Sequence, residues 1–251
     1  MNNDITVILN GYKRPQRLKE QIEAINKQTI APTNIFYWQN SVNGVSYDNE
    51  TSNKCISAYC NVNFGVWSRF AYALNARTNW ICIFDDDTIP GSRWLENCIS
   101  TYETHPGLLG TIGILFGDDS YYYEKTKKVK RIGWDNPNRE TTQVDIVGHS
   151  WFFHRDMLTY FWRELPPITH NYLVGEDIHF SHMLQKYSEY KTWVPPHPPD
   201  NRELWGSLKG WEYGNDNVAT AGAGEHAIPL MVQYIKMSCD NGFKFLYQME
   251  K

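Results

Sequence analysis

Long apolar runs, paired cysteines and an excess of charge of one sign are all missing from this sequence. No run of about 18 apolar residues occurs, so no transmembrane segment is predicted. The five cysteines show no CxxC spacing, which argues against a zinc site or a disulfide framework and favours reduced thiols. The formal net charge of -4 gives no long-range field that would hold nucleic acid, so no nucleic-acid partner is expected.

The first residues, MNNDITVILNGYKRP, contain no basic leader followed by an apolar stretch, so a cytoplasmic location is expected. What the chain does have is length and apolar content. Its 251 residues are 41% hydrophobic and 15% aromatic, which suffices for one sizeable core. We therefore expect a single domain.

Strand-like and helix-like segments alternate along the chain. Short apolar runs with the length of buried strands occur at residues 5–9, 34–40 and 80–84. Apolar residues recur at helical spacing through residues 17–28, 65–77 and 92–102. We expect Ser92 to cap the last of these helices. The alternation predicts an α/β fold with a mostly parallel sheet and helices on both faces.

Three consecutive aspartates, Asp85, Asp86 and Asp87, follow the apolar run at 80–84 in the stretch WICIFDDDTIPG. Open α/β sheets bind ligands beyond the carboxyl ends of their strands, where these side chains are expected. Carboxylates this close repel one another unless a cation or a ligand takes up the charge, and oxygen ligands select Mg²⁺ or Mn²⁺. The motif predicts a metal-diphosphate site, and its alternative interpretation is a solvated acidic turn.

Two enzyme classes place such a motif after an apolar strand. Phosphatases of the haloacid dehalogenase type have a DxDx[TV] pattern, but Ile89 stands where that pattern has Thr or Val. The stretch DDDTIPGSRWLENCI instead resembles the DxD motif of nucleotide-sugar glycosyltransferases with the GT-A fold, and is close to family-2-like and exostosin-like members. The resemblance covers the part of the chain before residue 200.

The resemblance implies a GT-A type fold, in which a Rossmann-like, mostly parallel sheet is flanked by helices. It divides the single domain, 1–251, into a nucleotide-binding half over 1–105, an acceptor half over 106–194 and a C-terminal lid or extension over 195–251. The extension is irregular and rich in proline, glycine and aromatic residues. A loop of such length in a compact domain is more often functional than not.

The same resemblance implies which residues hold the donor. They come from the ends of the first two strands, from the segment NVNFGVWSRFAYAL and from the acidic motif. These residues are Asn10, Tyr12, Lys13, Arg14, Asn40, Asn63, Gly65, Arg69, Asp85 and Asp86. Asp87 would bind the metal, Mn²⁺ or Mg²⁺. The alternatives are ordinary polar strand ends and, for Arg69, an exposed helix arginine.

The segment GEDIHFSHMLQKY, residues 175–187, predicts a helix with Glu176 and Asp177 at its N-terminus, where the helix dipole favours carboxylates. Related enzymes have an acidic pair at this point, and in inverting members one acid deprotonates the acceptor hydroxyl. The resemblance therefore implies Asp177, or else Glu176, as the general base. The alternative is a helix cap.

Histidines and aromatic residues complete the expected site. His197 would complete the metal site, with His226 as its substitute, whereas Gly148 and His149 would line the sugar pocket. For both His149 and His197 the alternative is a hydrogen-bonded structural role. Trp205, Trp211 and Tyr213 either stack on sugar rings or anchor packing. The polar stretch 121–140 is expected to be a surface loop or hairpin, and its basic run a solvated face.

These expectations together describe a metal-dependent, hexosyltransferase-type enzyme. It would move one sugar from a nucleoside diphosphate sugar, expected to be a UDP-sugar, to a hydroxyl of a glycan or glycoconjugate. The QxxRW motif of many processive synthases is absent, which argues against a polymerase. The alternatives are a haloacid-dehalogenase-like phosphatase and a non-catalytic carbohydrate-binding module.

Overall fold

The computed structural model describes residues 4–46, 49–118, 129–133, 136–166, 173–214 and 227–249. The strands are β1 Ile5–Gly11, β2 Asn34–Gln39, β3 Ile56–Tyr59, β4 Trp80–Phe84, β5 Gly107–Phe116, β6 Val129–Gly133, β7 Thr142–Gln143, β8 Ile146–His154 and β9 Lys191–Val194. The α-helices are α1 Leu18–Asn26, α2 Asn49–Ser52, α3 Ser68–Ala73, α4 Trp94–Thr104, α5 Leu158–Phe161, α6 Glu176–Tyr187, α7 Gly210–Gly214, α8 Ala227–Asp240 and α9 Leu246–Met249.

Among the described residues the strands form a nine-stranded sheet in the order β3-β2-β1-β4-β8-β5-β9-β7, with β6 beside β5. The first four strands pair in parallel. β8 inserts antiparallel between β4 and β5, and β5 pairs in parallel with β9. Because β1 to β5 and β9 all run one way, the sheet is mostly parallel, which confirms the predicted fold class.

The sheet buries both of its faces. Alternate residues of β1 point to opposite sides: Val7 packs with α1 and α4, whereas Ile8 packs on the side of α3 and α6. Trp94 on the first side and Phe70 on the second are both 0% exposed. Burying such a side chain contributes about 1.5–3 kcal/mol. The double burial explains why these strands read as continuous apolar runs.

Two helices differ from their predicted bounds. The helix expected over 65–77 is restricted to Ser68–Ala73, and it is preceded by Gly65 in the left-handed region at φ 67°. Helix α4 begins at Trp94, and Ser92 is not its cap. The side chain of Gln28, which follows the end of α1, instead accepts the backbone N–H of Leu95 at 3.0 Å. A tertiary contact therefore replaces the expected local cap.

The pairing of β4 with β8 brings two distant stretches together. The strands pair up to Phe84 and Ser150, so Asp85 lies opposite His149 just beyond the last pair. The Asp85 N–H donates to the His149 carbonyl at 3.1 Å.

In the part of the chain that the structure describes, no helix is both long and apolar enough to cross a membrane.

Candidate active site

The backbone of the acidic motif is fixed by two neighbours. Gln21 of α1 donates from Nε2 to the carbonyls of Asp85, at 2.6 Å, and Thr88, at 3.0 Å. The Thr88 hydroxyl donates to the carbonyl of His149 at 2.9 Å. These bonds hold the turn at the carboxyl end of β4, at the same edge of the sheet as the end of β1.

Two arginines contact the three aspartates of the motif, which explains how three like charges are tolerated together. Arg69 Nη1 donates to Asp85 Oδ1. Arg14 Nη1 donates to Asp86 Oδ1 at 2.6 Å and lies 3.4 Å from Asp87 Oδ2. Arg69 thus neutralises Asp85, whereas Asp86 and Asp87, both buried, share Arg14.

The imidazole of His149 approaches Asp87, with Nδ1 3.5 Å from Oδ1. The backbone of His149 lies in the left-handed region at φ 64°, which is uncommon for a residue with a side chain and costs about 1–3 kcal/mol. Ligand atoms of Asp85, Asp87 and His149 all lie within 4.8 Å of one another. The structure therefore assembles a candidate metal centre from two distant parts of the sequence.

The chemistry of this cluster fits a divalent cation. Carboxylates suit Mg²⁺ and Mn²⁺, and the imidazole favours Mn²⁺ of these two. The carboxylates of Asp85 and Asp87 face the same imidazole, so one ion could take ligands from all three side chains.

The buried groups of the motif titrate in opposite directions. Burial and the adjacent Asp87 charge raise the pKa of Asp86 to about 6, although Arg14 opposes them. Burial acts to raise the pKa of Asp87 too, but its contact with His149 and the Arg14 charge lower it to about 2. Burial acts to lower the pKa of His149, and the contact with Asp87 outweighs it, so that pKa is raised. Asp87 is thus held ionised at neutral pH.

The acidic pair at the start of α6 lies next to this cluster. Gly175 precedes the helix in the left-handed region at φ 104°. Arg69 Nη2 donates to Glu176 Oε1 at 2.7 Å, so Arg69 bridges Asp85 and Glu176. Burial raises the pKa of Glu176 above its usual value, and the charge of Arg69 opposes the shift. The helix expected from the sequence is confirmed at Glu176–Tyr187.

Asp177 faces a different environment from Glu176. Its Oδ1 accepts the backbone N–H of Ile178 at 2.7 Å, and its side chain lines a small apolar cavity with Ile146, Met231 and Ile235. Burial raises the pKa of Asp177 to about 6, although the Ile178 N–H opposes the shift. Asp177 therefore combines partial exposure with raised basicity.

The residues expected to hold the donor divide into two groups. Asn10, Tyr12 and Lys13 lie half-buried at the end of β1 and just after it. Asn40 is 2% exposed, and its side chain accepts from Trp38 Nε1 and the Phe64 N–H and donates to the Gly65 carbonyl. The side chain of Asn63 accepts the N–H of Gly65 at 2.8 Å. These two asparagines therefore shape the turn before α3.

His197 does not fit the expectation that it binds the metal. It is 0% exposed, its Nδ1 donates to the Pro195 carbonyl at 2.8 Å, and its Nε2 accepts the Gly206 N–H at 3.1 Å. Burial lowers its pKa to about 4, although the Pro195 carbonyl opposes the shift. Since both ring nitrogens bind the backbone, His197 stabilises the C-terminal segment, and His149 is the histidine of the cluster. His226 lies outside the described residues.

The aromatic residues of the C-terminal segment have separate surroundings. Trp205 is 9% exposed and donates from Nε1 to the Pro198 carbonyl, so it anchors packing. Trp211 is 68% exposed. The ring of Tyr213 stacks with the guanidinium carbon of Arg17 at 3.4 Å, and its hydroxyl donates to Glu20. In the polar stretch 121–140, β6 pairs with β5, and residues 121–128, 134 and 135 lie outside the described residues.

No family model and no curated protein sequence matches the chain. Among solved structures, S. aureus TarS 1–349 matches with a TM-score of 0.52 and 13% identity over 78% of this chain and 58% of that chain. Its complex with UDP gives a TM-score of 0.53 and 13% identity over the same shares. Its complex with UDP-GlcNAc gives 0.52 and 12% over 92% of this chain and 71% of that one.

The chain thus spans 58% of the length of the first of these structures. At such identities the similarity establishes the fold and no more. The chain has a fold similar to that of TarS, which confirms the GT-A type fold expected from the sequence.

Proposed function

We propose that this protein is a metal-dependent glycosyltransferase that moves one sugar from a nucleoside diphosphate sugar to a hydroxyl of a glycan or glycoconjugate. The observation that carries the proposal is the cluster of Asp85, Asp87 and His149 at the carboxyl edge of a GT-A sheet. TarS, which has this fold, has been solved with UDP and with UDP-GlcNAc. We therefore propose a UDP-sugar as donor and a hexosyl group as the unit transferred.

In this proposal Asp85, Asp87 and His149 hold Mn²⁺ or Mg²⁺, which would supply positive charge for the leaving diphosphate. Arg14 fixes the carboxylates of Asp86 and Asp87 in place. Asn10, Tyr12 and Lys13 border the same edge of the sheet and are proposed to contact the nucleotide. Residues 1–105 thus bind the nucleotide, 106–194 face the acceptor, and 195–251 form the extension.

Asp177 is the proposed general base. A base that accepts the proton of a sugar hydroxyl works best when its pKa lies near the operating pH. The pKa of Asp177, raised to about 6 by burial, keeps the carboxylate ionised at neutral pH and more basic than an exposed aspartate. Glu176 is less suited, because its carboxylate is already bound to Arg69.

The other candidate functions leave features of the site unused. A phosphatase of the haloacid dehalogenase type needs Asp85 as a nucleophile, whereas Asp85 is bound to the buried Arg69 and the fold is GT-A. A carbohydrate-binding module needs no charged cluster, and the buried Asp86 and Asp87 would then destabilise the fold without a role.

A panel of nucleotide sugars, each measured by thermal shift with and without Mn²⁺, tests the proposal. A donor at a hundredfold excess over its dissociation constant should add about 2.7 kcal/mol to the free energy of unfolding. We expect stabilisation by one class of donor, dependent on Mn²⁺ and absent in Asp87→Asn. Donor hydrolysis by the wild type would then separate an enzyme from a binding module. A panel without any Mn²⁺-dependent shift would contradict the proposal.

A further inference from the structure

Arg69 is buried in the middle of the candidate site. Its side chain is 1% exposed, and its Nη1 and Nη2 donate to Asp85 and Glu176 respectively. The guanidinium carbon lies 4.4 Å from the centre of the Trp151 ring, which closes one face of the group. The resemblance implied that Arg69 contacts the donor, but a group so enclosed does not reach a ligand in solvent.

The contacts of Arg69 are costly as a purely stabilising arrangement. Burying ionised groups is repaid only where geometry and hydrogen bonding are excellent. Arg69 Nε is buried and has no hydrogen-bond partner among the described residues. The side chain nevertheless joins two sequence segments that carry the proposed chemistry, the turn after β4 and the N-terminus of α6.

We infer that Arg69 is a positioning residue that fixes the metal-binding carboxylate of Asp85 relative to the acidic start of α6. Glu176 holds one arm of the guanidinium and so prevents both arms from turning to Asp85. Without Glu176, Arg69 would bind Asp85 with both nitrogens and withdraw its oxygen from the metal. The metal part of this inference is independent of sugar transfer, whereas the link to Asp177 as a base rests on the proposed function.

The test measures the affinity of Mn²⁺ alone by calorimetry, with unfolding in urea recorded on each preparation. Arg69→Lys keeps the charge, but one ammonium does not replace the planar fork that serves two carboxylates. We expect Mn²⁺ affinity to fall about tenfold, as is typical when a group that orients a metal ligand is replaced.

Variants of the acidic pair provide matched controls. Glu176→Ala and Asp177→Ala each remove one carboxylate from the same helical turn, but only Glu176 is bound to Arg69. We expect about tenfold weaker Mn²⁺ binding for Glu176→Ala and a change within about twofold for Asp177→Ala. Glu176→Gln, which retains an acceptor for Nη2, should restore most of the affinity. In the Arg69→Lys background, Glu176→Ala should add no further loss.

Several outcomes would overturn the inference. An Arg69→Lys protein with wild-type Mn²⁺ affinity and a lowered unfolding midpoint would show a role in stability alone. Equal losses in Glu176→Ala, Glu176→Gln and Asp177→Ala would show that net charge matters and the bridge does not. If Arg69→Lys does not fold, the two Glu176 variants decide the question. If the Mn²⁺ affinities change as expected but the protein uses no sugar donor, the proposed function is rejected and the positioning role of Arg69 stands.

Discussion

Two histidines, His149 and His197, lie in two different regions that pack beside the acidic motif in the fold. His149 lies in β8, next to the point where pairing with β4 stops, and has its backbone in the left-handed region and its Nδ1 3.5 Å from Asp87 Oδ1. His197, in the segment that follows β9, is fully buried and binds the backbone through both nitrogens. The pKa of the first is raised by its contact with Asp87, and that of the second is lowered to about 4 by burial.

The difference follows from what surrounds each ring. Opposite His149 the groups are carboxylates, so its imidazole is electrostatically suited to share a cation with them. The ring nitrogens of His197 bind a carbonyl and an N–H of the backbone of its own segment, and the ring packs against Trp94. That segment also supports the turn after the motif, because the Gly91 N–H donates to the Trp205 carbonyl and the Leu208 N–H donates to the Ile89 carbonyl. One region therefore provides chemistry, and the other holds it in place.

The largest expected effect is on the rate of sugar transfer, and it involves neither histidine. Asp177→Asn should lower the transfer rate by roughly 10²–10⁴-fold, because an amide cannot take the proton from the hydroxyl of the acceptor sugar. Donor and Mn²⁺ affinities should stay within a few-fold of wild type, since Asp177 is outside the metal cluster. Calorimetry and turnover on one preparation measure both quantities.

The pH profile is the control for this prediction. Because a base must be deprotonated to act, the wild-type rate should rise with pH through about 6 and then level, as the raised pKa of Asp177 requires. The residual rate of Asp177→Asn should lack that step. Near-normal turnover of the variant would remove Asp177 from the mechanism and leave Glu176 as the next residue to test.

Mn²⁺ affinity should distinguish the two histidines directly. His149→Ala should weaken Mn²⁺ binding by at least about tenfold, since even groups that only support a ligand cost that much. His197→Ala should leave the affinity unchanged, because both of its ring nitrogens bind the backbone. Mn²⁺ titrations of the two folded variants provide the measurement. The reverse ranking would exchange the roles of the two histidines.

For the free energy of unfolding, the two substitutions should rank in the opposite order. His197→Ala leaves the buried Gly206 N–H without its acceptor and should lower the free energy of unfolding by about 1–3 kcal/mol. His149→Ala should change it less, because its ring is partly exposed and its strained backbone remains. Urea unfolding of both variants without metal measures this. Equal losses would mean that both rings are structural.

The smallest expected effect is a difference in pH dependence. The folded pKa of His197 lies below its usual value, so its contribution to stability is present above about 6.5 and is lost as pH falls toward 4. The folded pKa of His149 is raised, so its contribution is present below about 6.5 and is lost as pH rises through the folded value. Each is limited to about 1.4 kcal/mol per pH unit.

Unfolding free energies of wild type, His197→Gln and His149→Gln across this range, without metal, test these signs. His197→Gln should flatten the decline on the acidic side. His149→Gln should flatten the decline on the alkaline side. Slopes of the same sign for both histidines would contradict the comparison.

The predictable parts of the fold depend on local patterns. Apolar spacing predicts the strand at Trp80–Phe84 and helix α1, because an element that is buried in or against a sheet needs apolar residues at the spacing of its buried positions. Ser92 shows the limit of such patterns. The side chain of Gln28, just after α1, binds the first turn of α4, and a contact between elements distant in sequence cannot be predicted from the local sequence.

The site divides in the same way. Apolar periodicity alone predicts that the acidic motif follows a buried strand and that Glu176 and Asp177 begin a helix. The contact of His149, rather than His197, with Asp87 and the binding of Arg69 to Asp85 and Glu176 became visible only in the fold. These contacts depend on β8 lying antiparallel beside β4, and strand order in a sheet is set by packing among elements far apart in the chain.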